Sequence, residues 1–287
     1  MDLSVVIVSF NTRDKLRMCL RSVFASQTKY IYEIFVVDND SQDGSAEMVR
    51  SEFPNVKLIE NHENRGYSAA NNQALRQAQG RFYLLLNSDV EIAPDTFDKM
   101  ISYMDNDKSV GIAGCKVVKA DGSFDKASRR NFPDLANGIL HGLGLASLSS
   151  KPYNIVDAPD DQIAEVDSVM GAFLMIRAEV IEKIGLLDEA FFMYGEDLDW
   201  CYRAKQAGYK VMFAPLTTVV HHKGSSSRKA PKKALYEFHR AMIVFYMKHY
   251  ADQHSELVNS LVKLGIWTRY GAKLLANSLR TEKFVSK

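Results

Sequence analysis

The chain has 287 residues, of which 46% are hydrophobic and 25% charged, and its formal net charge is +1. This composition is ordinary for a soluble globular protein with a substantial core. The three cysteines, Cys19, Cys115 and Cys201, are odd in number and widely spaced, which excludes a disulfide framework and a zinc pattern and indicates a reducing compartment. No signal-like stretch and no run of about 18 apolar residues occurs, so the sequence predicts neither secretion nor a membrane span.

The first half of the chain alternates between strand and helix patterns. Predicted strands cover 3–9, 31–38, 56–60 and 82–92, and predicted helices cover 16–24, 46–53 and 69–79. Alternation of this kind predicts an α/β fold in which a Rossmann-like, mostly parallel sheet with right-handed crossovers is flanked by helices. Its size suits a nucleotide-binding half.

The second half has a less regular pattern. Strands are predicted at 110–119, 166–176, 210–214 and 217–222, and helices at 95–107, 178–184, 196–208, 234–249 and 255–279. The segment 120–165 is rich in Gly, Ser, Asp and Pro and lacks periodicity, so we expect a functional loop there.

Charge is unevenly distributed along the chain. From Lys223 onward there are 13 Lys and Arg against 4 Asp and Glu, whereas the preceding residues have 23 against 31. We expect a main domain at 1–226 and a basic helical C-terminal extension at 227–287. Helices of this composition suit an anionic membrane surface, and a helical dimer interface fits about as well. We expect no nucleic-acid partner.

Polar residues close three of the predicted strands. The first strand ends at Ser9 and Asn11, the second at Asp38, and the most apolar one runs into Asp89. Because open α/β sheets bind ligands at the carboxyl ends of their strands, we expect these residues to share one crevice. Asp38 could accept a hydrogen bond from a nucleobase, or serve only as a turn and helix cap. A buried Asp89 needs a partner, which a divalent metal with its diphosphate would supply, as would a structural salt bridge.

Three further segments are candidates for binding or catalysis. Asn64–Asn72 is a glycine turn that leads into a helix N-terminus, which suits a phosphate or ribose, although a capped surface helix has the same pattern. Arg129 and Arg130 could grip a phosphate or the leaving diphosphate, or be solvated. His221 could bind the metal or be structural. Their spacing alone leaves these alternatives open.

The pair Glu196 and Asp197 is the best candidate for proton transfer. Both acids fall in the first turn of a predicted helix, where the helix dipole holds a carboxylate ionised, so that it can accept a proton from an attacking hydroxyl. The alternative is simple charge complementarity at a helix end, which fits Asp199 better than Asp197.

Taken in order, these elements resemble a family-2, GT-A-fold glycosyltransferase of the bacterial rhamnosyltransferase-like group. The resemblance covers about 3–226. The matching pieces are Val5–Asn11, Asp38–Ser45, Asn64–Tyr67, Asn87–Asp89, Gly195–Asp199 and His221. Each piece is short, and their shared order carries the specificity.

The resemblance implies transfer of a sugar from a nucleoside diphosphate donor with inversion at the anomeric carbon. Asp197 would be the base, and Glu196 would contact a sugar. Asp89 and His221 would hold Mg2+ or Mn2+. The residues implied in donor binding are Ser9, Asn11, Asp38, Asn64, Gly66, Asn72, Asn87, Ser88, Arg129 and Arg130. Asn87 stands where many relatives have Asp, which weakens cation binding.

The resemblance further predicts dTDP-L-rhamnose as donor and a polyprenyl-diphosphate-linked glycan as acceptor, at the cytoplasmic face of a bacterial membrane during cell-surface polysaccharide synthesis. A UDP-sugar-dependent galactosyl or N-acetylhexosaminyl transferase is the alternative in the same class. A catalytically silent nucleotide-sugar-binding subunit is the alternative from another class. A Rossmann dehydrogenase is disfavoured, because no Gly-x-Gly-x-x-Gly follows the first strand.

Overall fold

The computed structural model describes residues 1–133, 153–155, 158–222 and 231–278. The middle of the predicted functional loop and the expected domain boundary at 226 and 227 lie outside these residues. The helices are α1 Arg13–Phe24, α2 Ser45–Glu52, α3 Tyr67–Leu75, α4 Thr96–Asn106, α5 Ala178–Ile184, α6 Glu196–Gln206, α7 Pro231–His249 and α8 Glu256–Ser278. The strands are β1 Leu3–Ser9, β2 Tyr32–Asn39, β3 Lys57–Asn61, β4 Phe82–Asn87, β5 Val90–Glu91, β6 Val110–Lys119, β7 Arg129–Arg130, β8 Ala164–Glu165, β9 Ser168–Val169, β10 Phe173–Arg177 and β11 Lys210–His221.

The main sheet has the order β3-β2-β1-β4-β10-β6-β11-β5, with β8 beside β11. The pairings of β1 with β2, β1 with β4 and β2 with β3 are parallel, as the alternation predicts. Strand β10 lies antiparallel between β4 and β6, so the second half of the sheet is mixed. The half of the sheet formed by β3, β2, β1 and β4 is therefore the regular part of the fold.

Two of the later strands differ from their predicted bounds. The predicted strand 166–176 is divided by a turn around Gly171, in which the amide of Phe173 donates to the carbonyl of Met170 at 3.2 Å. The predicted strands 210–214 and 217–222 are one strand, β11, whose pairing with β6 shifts register between Phe213 and Thr218. Pro215 lies within that shift, and a proline removes one ladder donor.

Both faces of the sheet are covered by helices. On β1, Val5 packs in one core cluster with Leu16 of α1, whereas Val6 packs in the other with Ala70 of α3 and Trp200 of α6. This division follows from the alternation of side chains along a strand, and burial on both faces explains the nearly continuous apolar run of β1.

The C-terminal helices pack in sequence onto the body. Helix α7 buries Ala241 and Phe245 against Phe191 and Leu198, the latter on α6. Helix α8 packs on α7, and of its residues only Asn259 is classed as buried. Within the described residues, none of the helices is sufficiently long and apolar to span a bilayer.

Candidate active site

The carboxyl ends of β1, β2 and β4 lie side by side at one edge of the sheet. Ser9 is in register with Asp38, and Val8 is in register with Asn87. The hydroxyl of Thr12 lies 2.9 Å from that of Ser9 and 2.9 Å from that of Ser88. Thr12 thus links two residues that are predicted to bind the sugar nucleotide, through side-chain contacts that no sequence pattern reveals.

Asp38 presents an unsatisfied acceptor at this edge. Its Oδ2 accepts a hydrogen bond from the backbone amide of Ser41 at 3.0 Å, whereas its buried Oδ1 has no partner among the described residues. Burial raises the pKa of Asp38 above its ordinary value. Nearby, Asn11 adopts a φ of 54°, and its side chain accepts from the amide of Gln42 at 2.8 Å. An N–H group of a nucleobase would satisfy the unpaired oxygen of Asp38.

The loop before α3 is held by amide side chains. Asn39 donates to Asn64 Oδ1 at 2.9 Å, and the same oxygen accepts from the amide of Gly66 at 3.0 Å. Gly66 has a φ of 83°, and a Cβ there would lie 2.6 Å from the carbonyl oxygen of Phe192. Both constraints require glycine. The loop is therefore fixed against the segment that precedes α6.

The side chain of Asn72 is held by other parts of the chain. Its amide donates to the carbonyl of Leu187 and to the carboxylate of Glu189, both at 2.9 Å, and its oxygen accepts from the amide of Leu187 at 3.1 Å. Both amide hydrogens are thus used within the protein, and Asn72 holds the segment 187–189. Its expected contact with the sugar nucleotide stays a prediction.

Asp89 and His221 form the predicted pair at the other end of the edge. His221 Nε2 lies 3.0 Å from Asp89 Oδ1, and the buried Nδ1 of His221 has no partner among the described residues. A carboxylate and an imidazole fit Mg2+ or Mn2+ when substrate phosphates and water complete the coordination. Over the described part of the chain, no group of three or more His, Cys, Asp or Glu could hold a metal. Oxygens of a bound nucleotide or of water would complete the coordination of a metal at this pair.

Tyr67 links Asn87, at the end of β4, to the turn at Gly171, and no local sequence pattern reveals that role. Its hydroxyl lies 3.1 Å from Asn87 Oδ1 and 3.3 Å from the carbonyl oxygen of Gly171. Burial raises the pKa of Tyr67, and the charges of Glu196, Asp197 and Asp89 raise it further. The only signal for Tyr67 in the sequence is its position directly after Gly66.

Asp197 is held by two donors from different parts of the chain. Its Oδ2 accepts from Arg130 Nη2 at 2.7 Å and from the amide of Gly171 at 2.8 Å. A Cβ at Gly171 would lie 3.2 Å from the Cβ of Asp197, so the close approach favours glycine. Tyr194 and Gly195 have φ values of 71° and 82° directly before α6. These left-handed conformations set the direction in which the first turn of α6 begins.

Glu196 is buried beside Asp197 in the first turn of α6. Burial, followed by the charge of Asp197, raises the pKa of Glu196 to about 8. Its Oε2 is buried without a hydrogen-bond partner among the described residues. At neutral pH the site therefore combines one carboxyl that is protonated and able to donate with one that is ion-paired.

The two arginines of β7 point to opposite faces and contact different parts of the chain. Besides Asp197, Arg130 Nη2 donates to Ser168 Oγ at 3.0 Å and to the carbonyl of Val169 at 2.6 Å. Arg129 donates to the carbonyls of Ile155 and Pro159 at 3.0 and 2.6 Å. Arg130 thus contacts the Asp197 site, although its buried Nε has no hydrogen-bond partner among the described residues. The expected phosphate contacts of Arg129 and Arg130 stay predictions.

Comparison with known proteins adds independent information. Residues 4–185 match the model of glycosyl transferase family 2. An N-acetylglucosaminyl-diphospho-decaprenol L-rhamnosyltransferase of Mycobacterium tuberculosis is 25% identical, over 96% of this chain and 92% of that protein. The O-antigen biosynthesis protein RfbC of Myxococcus xanthus is 29% identical. That match covers 78% of this chain and 17% of RfbC.

A solved structure supports the fold. The mannosyltransferase PcManGT of Pyrobaculum calidifontis, in complex with GDP-Man and Mn2+, has a TM-score of 0.60 and 17% identity. The match covers 97% of this chain and 76% of that one. The predicted GT-A fold is thereby confirmed.

Proposed function

Since the chain belongs to glycosyl transferase family 2, we propose that it transfers a sugar from a nucleoside diphosphate donor to a hydroxyl of a glycan, with inversion at the anomeric carbon. One observation carries the proposal: Tyr67 lies within hydrogen-bond distance of both Asn87 and Gly171, and the amide of Gly171 donates to Asp197. A donor bound at the strand edge and an acceptor at Asp197 would therefore share one cleft.

The chemistry needs a base on the acceptor side and charge stabilisation on the donor side. Asp197 would accept the proton of the acceptor hydroxyl. At the same time the hydroxyl oxygen would bond to the anomeric carbon and the bond between that carbon and the diphosphate would break. Glu196, protonated at neutral pH, would donate a hydrogen bond to a sugar oxygen. Asp89 and His221 would hold Mg2+ or Mn2+, which when bound supplies charge neutralisation for the leaving diphosphate.

A relative that matches nearly the whole chain supports a choice of donor and acceptor. The mycobacterial relative is named as an L-rhamnosyltransferase acting on a diphospho-decaprenol-linked sugar. We therefore assign dTDP-L-rhamnose as donor and a polyprenyl-diphosphate-linked glycan as acceptor, at the cytoplasmic membrane surface. The relative named for O-antigen biosynthesis supports a role in cell-surface polysaccharide synthesis.

A donor screen tests this proposal. The protein is incubated with dTDP-rhamnose, UDP-galactose, UDP-N-acetylglucosamine and GDP-mannose, each with a polyprenyl-diphosphate-linked N-acetylglucosamine, and released nucleotide is measured with Mg2+, Mn2+ or EDTA. We expect release from dTDP-rhamnose that EDTA and His221→Gln suppress, whereas His222→Gln, the matched control, retains it. Activity restricted to UDP-sugars would replace the rhamnose assignment, and no turnover with any donor would favour a silent binding subunit.

A further inference from the structure

Helix α8 turns an apolar face outward. Leu257, Leu261, Leu264 and Leu275 are 71%, 57%, 62% and 66% exposed. Their spacing places them on one side of a helix. The residues between them on that side include Thr268 and Gly271, which are uncharged and small. The result is a leucine stripe, defined here as these four leucines, along most of a 23-residue helix.

The opposite side of α8 provides its contact with the body. Asn259 accepts a hydrogen bond from the hydroxyl of Tyr246 on α7 at 2.8 Å. The rings of Trp267 and Tyr236 stack with centroids 5.6 Å apart. The packing of α8 on α7 is thus achieved without the leucine stripe, which the other described residues leave exposed. Four exposed leucines on one face are more than the scattered apolar residues that a protein surface normally carries.

Charge identifies the partner. Between Leu257 and Ser278 the sequence contains Lys263, Arg269 and Lys273 but no acidic residue. At about 100° per residue, Lys263 and Arg269 lie about 120° to either side of the leucine stripe, with Lys263 half-buried on the side of Asn259 and Trp267 and Arg269 exposed on the other. Cations that flank an apolar face in this way match a bilayer interface, where leucines enter the acyl boundary and bases meet anionic headgroups.

We propose that the leucine stripe of α8, flanked by Lys263 and Arg269, docks on the surface of an anionic lipid bilayer. A second copy of the chain fits less well. If two α8 helices met through their stripes, each would bring Lys263, Arg269 and Lys273 against a single acid, Glu256, so like charges would predominate. The inference deepens the proposed lipid-linked acceptor by naming the face that meets the membrane.

Vesicle binding of the full chain, without donor or acceptor, tests the docking face separately from the proposed reaction. Flotation is compared between phosphatidylcholine vesicles and vesicles in which about a third of the lipid is phosphatidylglycerol. We expect binding to the anionic vesicles, weakened about tenfold or more in Leu261→Ser/Leu264→Ser because two leucines no longer enter the interface. Lys263→Gln/Arg269→Gln should lose the preference for anionic lipid.

Ile31→Ser is the matched control, because Ile31 is 66% exposed but lies outside α8. It should bind vesicles as the wild type does, and circular dichroism should show all variants folded. Equal recovery of wild-type protein with and without anionic vesicles would overturn the proposal. So would a dimer in sedimentation equilibrium that the double leucine variant abolishes while vesicle binding is absent, since the stripe would then bind a second copy.

Discussion

The carboxylate of Asp197 and the guanidinium of Arg130 form a buried ion pair, with Nη2 2.7 Å from Oδ2. Burial works to lower the pKa of Arg130, but the charge of Asp197 outweighs it and the pKa is raised. Arg130 therefore stays a cation and keeps the carboxylate oriented. This makes Arg130 a positioning residue for the proposed base.

Replacing Arg130 distinguishes that role from a phosphate grip. In Arg130→Met the carboxylate of Asp197 loses its buried partner, which should lower the free energy of unfolding by about 3–5 kcal/mol. We expect kcat to fall more than about tenfold while the dissociation constant of the donor changes little. Arg130→Lys should recover part of the kcat. Steady-state kinetics measures kcat, and calorimetry measures the dissociation constant of the donor nucleotide. Weaker binding of the nucleotide with unchanged kcat would instead support a phosphate contact by Arg130.

Glu196 should set the alkaline limit of activity. Because its pKa is raised to about 8, the carboxyl is protonated at pH 7 and loses its proton as the pH rises through that value. A second negative charge then appears beside Asp197, so kcat/KM should fall above about pH 8. Glu196→Gln keeps a hydrogen-bond donor without titrating.

The pH profile of Glu196→Gln therefore extends to higher pH, with activity at pH 7 within about tenfold of wild type. Glu196→Ala, which has no donor, should lose more activity at every pH. If the Gln variant kept the wild-type alkaline limb, some other group would titrate there.

Asp199 ties α7 to the helix that bears Asp197. It is fully buried, and its carboxylate lies 2.7 Å from Arg203, 2.9 Å from Lys248 and 2.8 Å from His249. Burial acts to raise the pKa of Asp199, but the hydrogen bond from His249 and the charge of Arg203 outweigh it, so the pKa is lowered. The stabilisation is thus complete above the ordinary carboxyl range and is lost as the pH falls through the lowered pKa.

Asp199→Asn should lower the free energy of unfolding at pH 7 by about 3–5 kcal/mol, because Arg203, Lys248 and the imidazole of His249 lose their common partner. Asp95→Asn is the control, since its partner Lys99 is 46% exposed and such surface pairs contribute less than about 1 kcal/mol. Urea unfolding measures both variants. Equal small effects would mean that the C-terminal helices are held by apolar packing alone.

Much of the donor edge follows from local sequence. Apolar runs that stop at Asp38 and Asp89 identify the strand ends, since strand burial and its termination are written in adjacent residues. The Asp197 site does not follow in this way. Arg130 reaches Asp197 because β7 pairs with β9, a pairing between segments about 40 residues apart.

Other contacts in the site are equally non-local. The partner of Asn72 is Leu187, 115 residues later, and the carbonyl that Tyr67 contacts is 104 residues away. Local patterns predict which residues are polar at a turn, but which of two alternating side chains faces the cleft depends on strand pairing. That is why the sequence alone does not show which protein groups contact Asn72, Arg129 and Arg130.

Asp197→Asn provides the decisive experiment, because the amide keeps the shape of the side chain and removes the proton acceptor. Single-turnover transfer and equilibrium binding of the donor nucleotide are measured on the same preparation. Loss of a general base should slow transfer by about 100- to 10,000-fold while the nucleotide dissociation constant stays within about threefold of wild type. Transfer at the wild-type rate, with the variant folded and nucleotide bound, would contradict the assignment of Asp197 as the base.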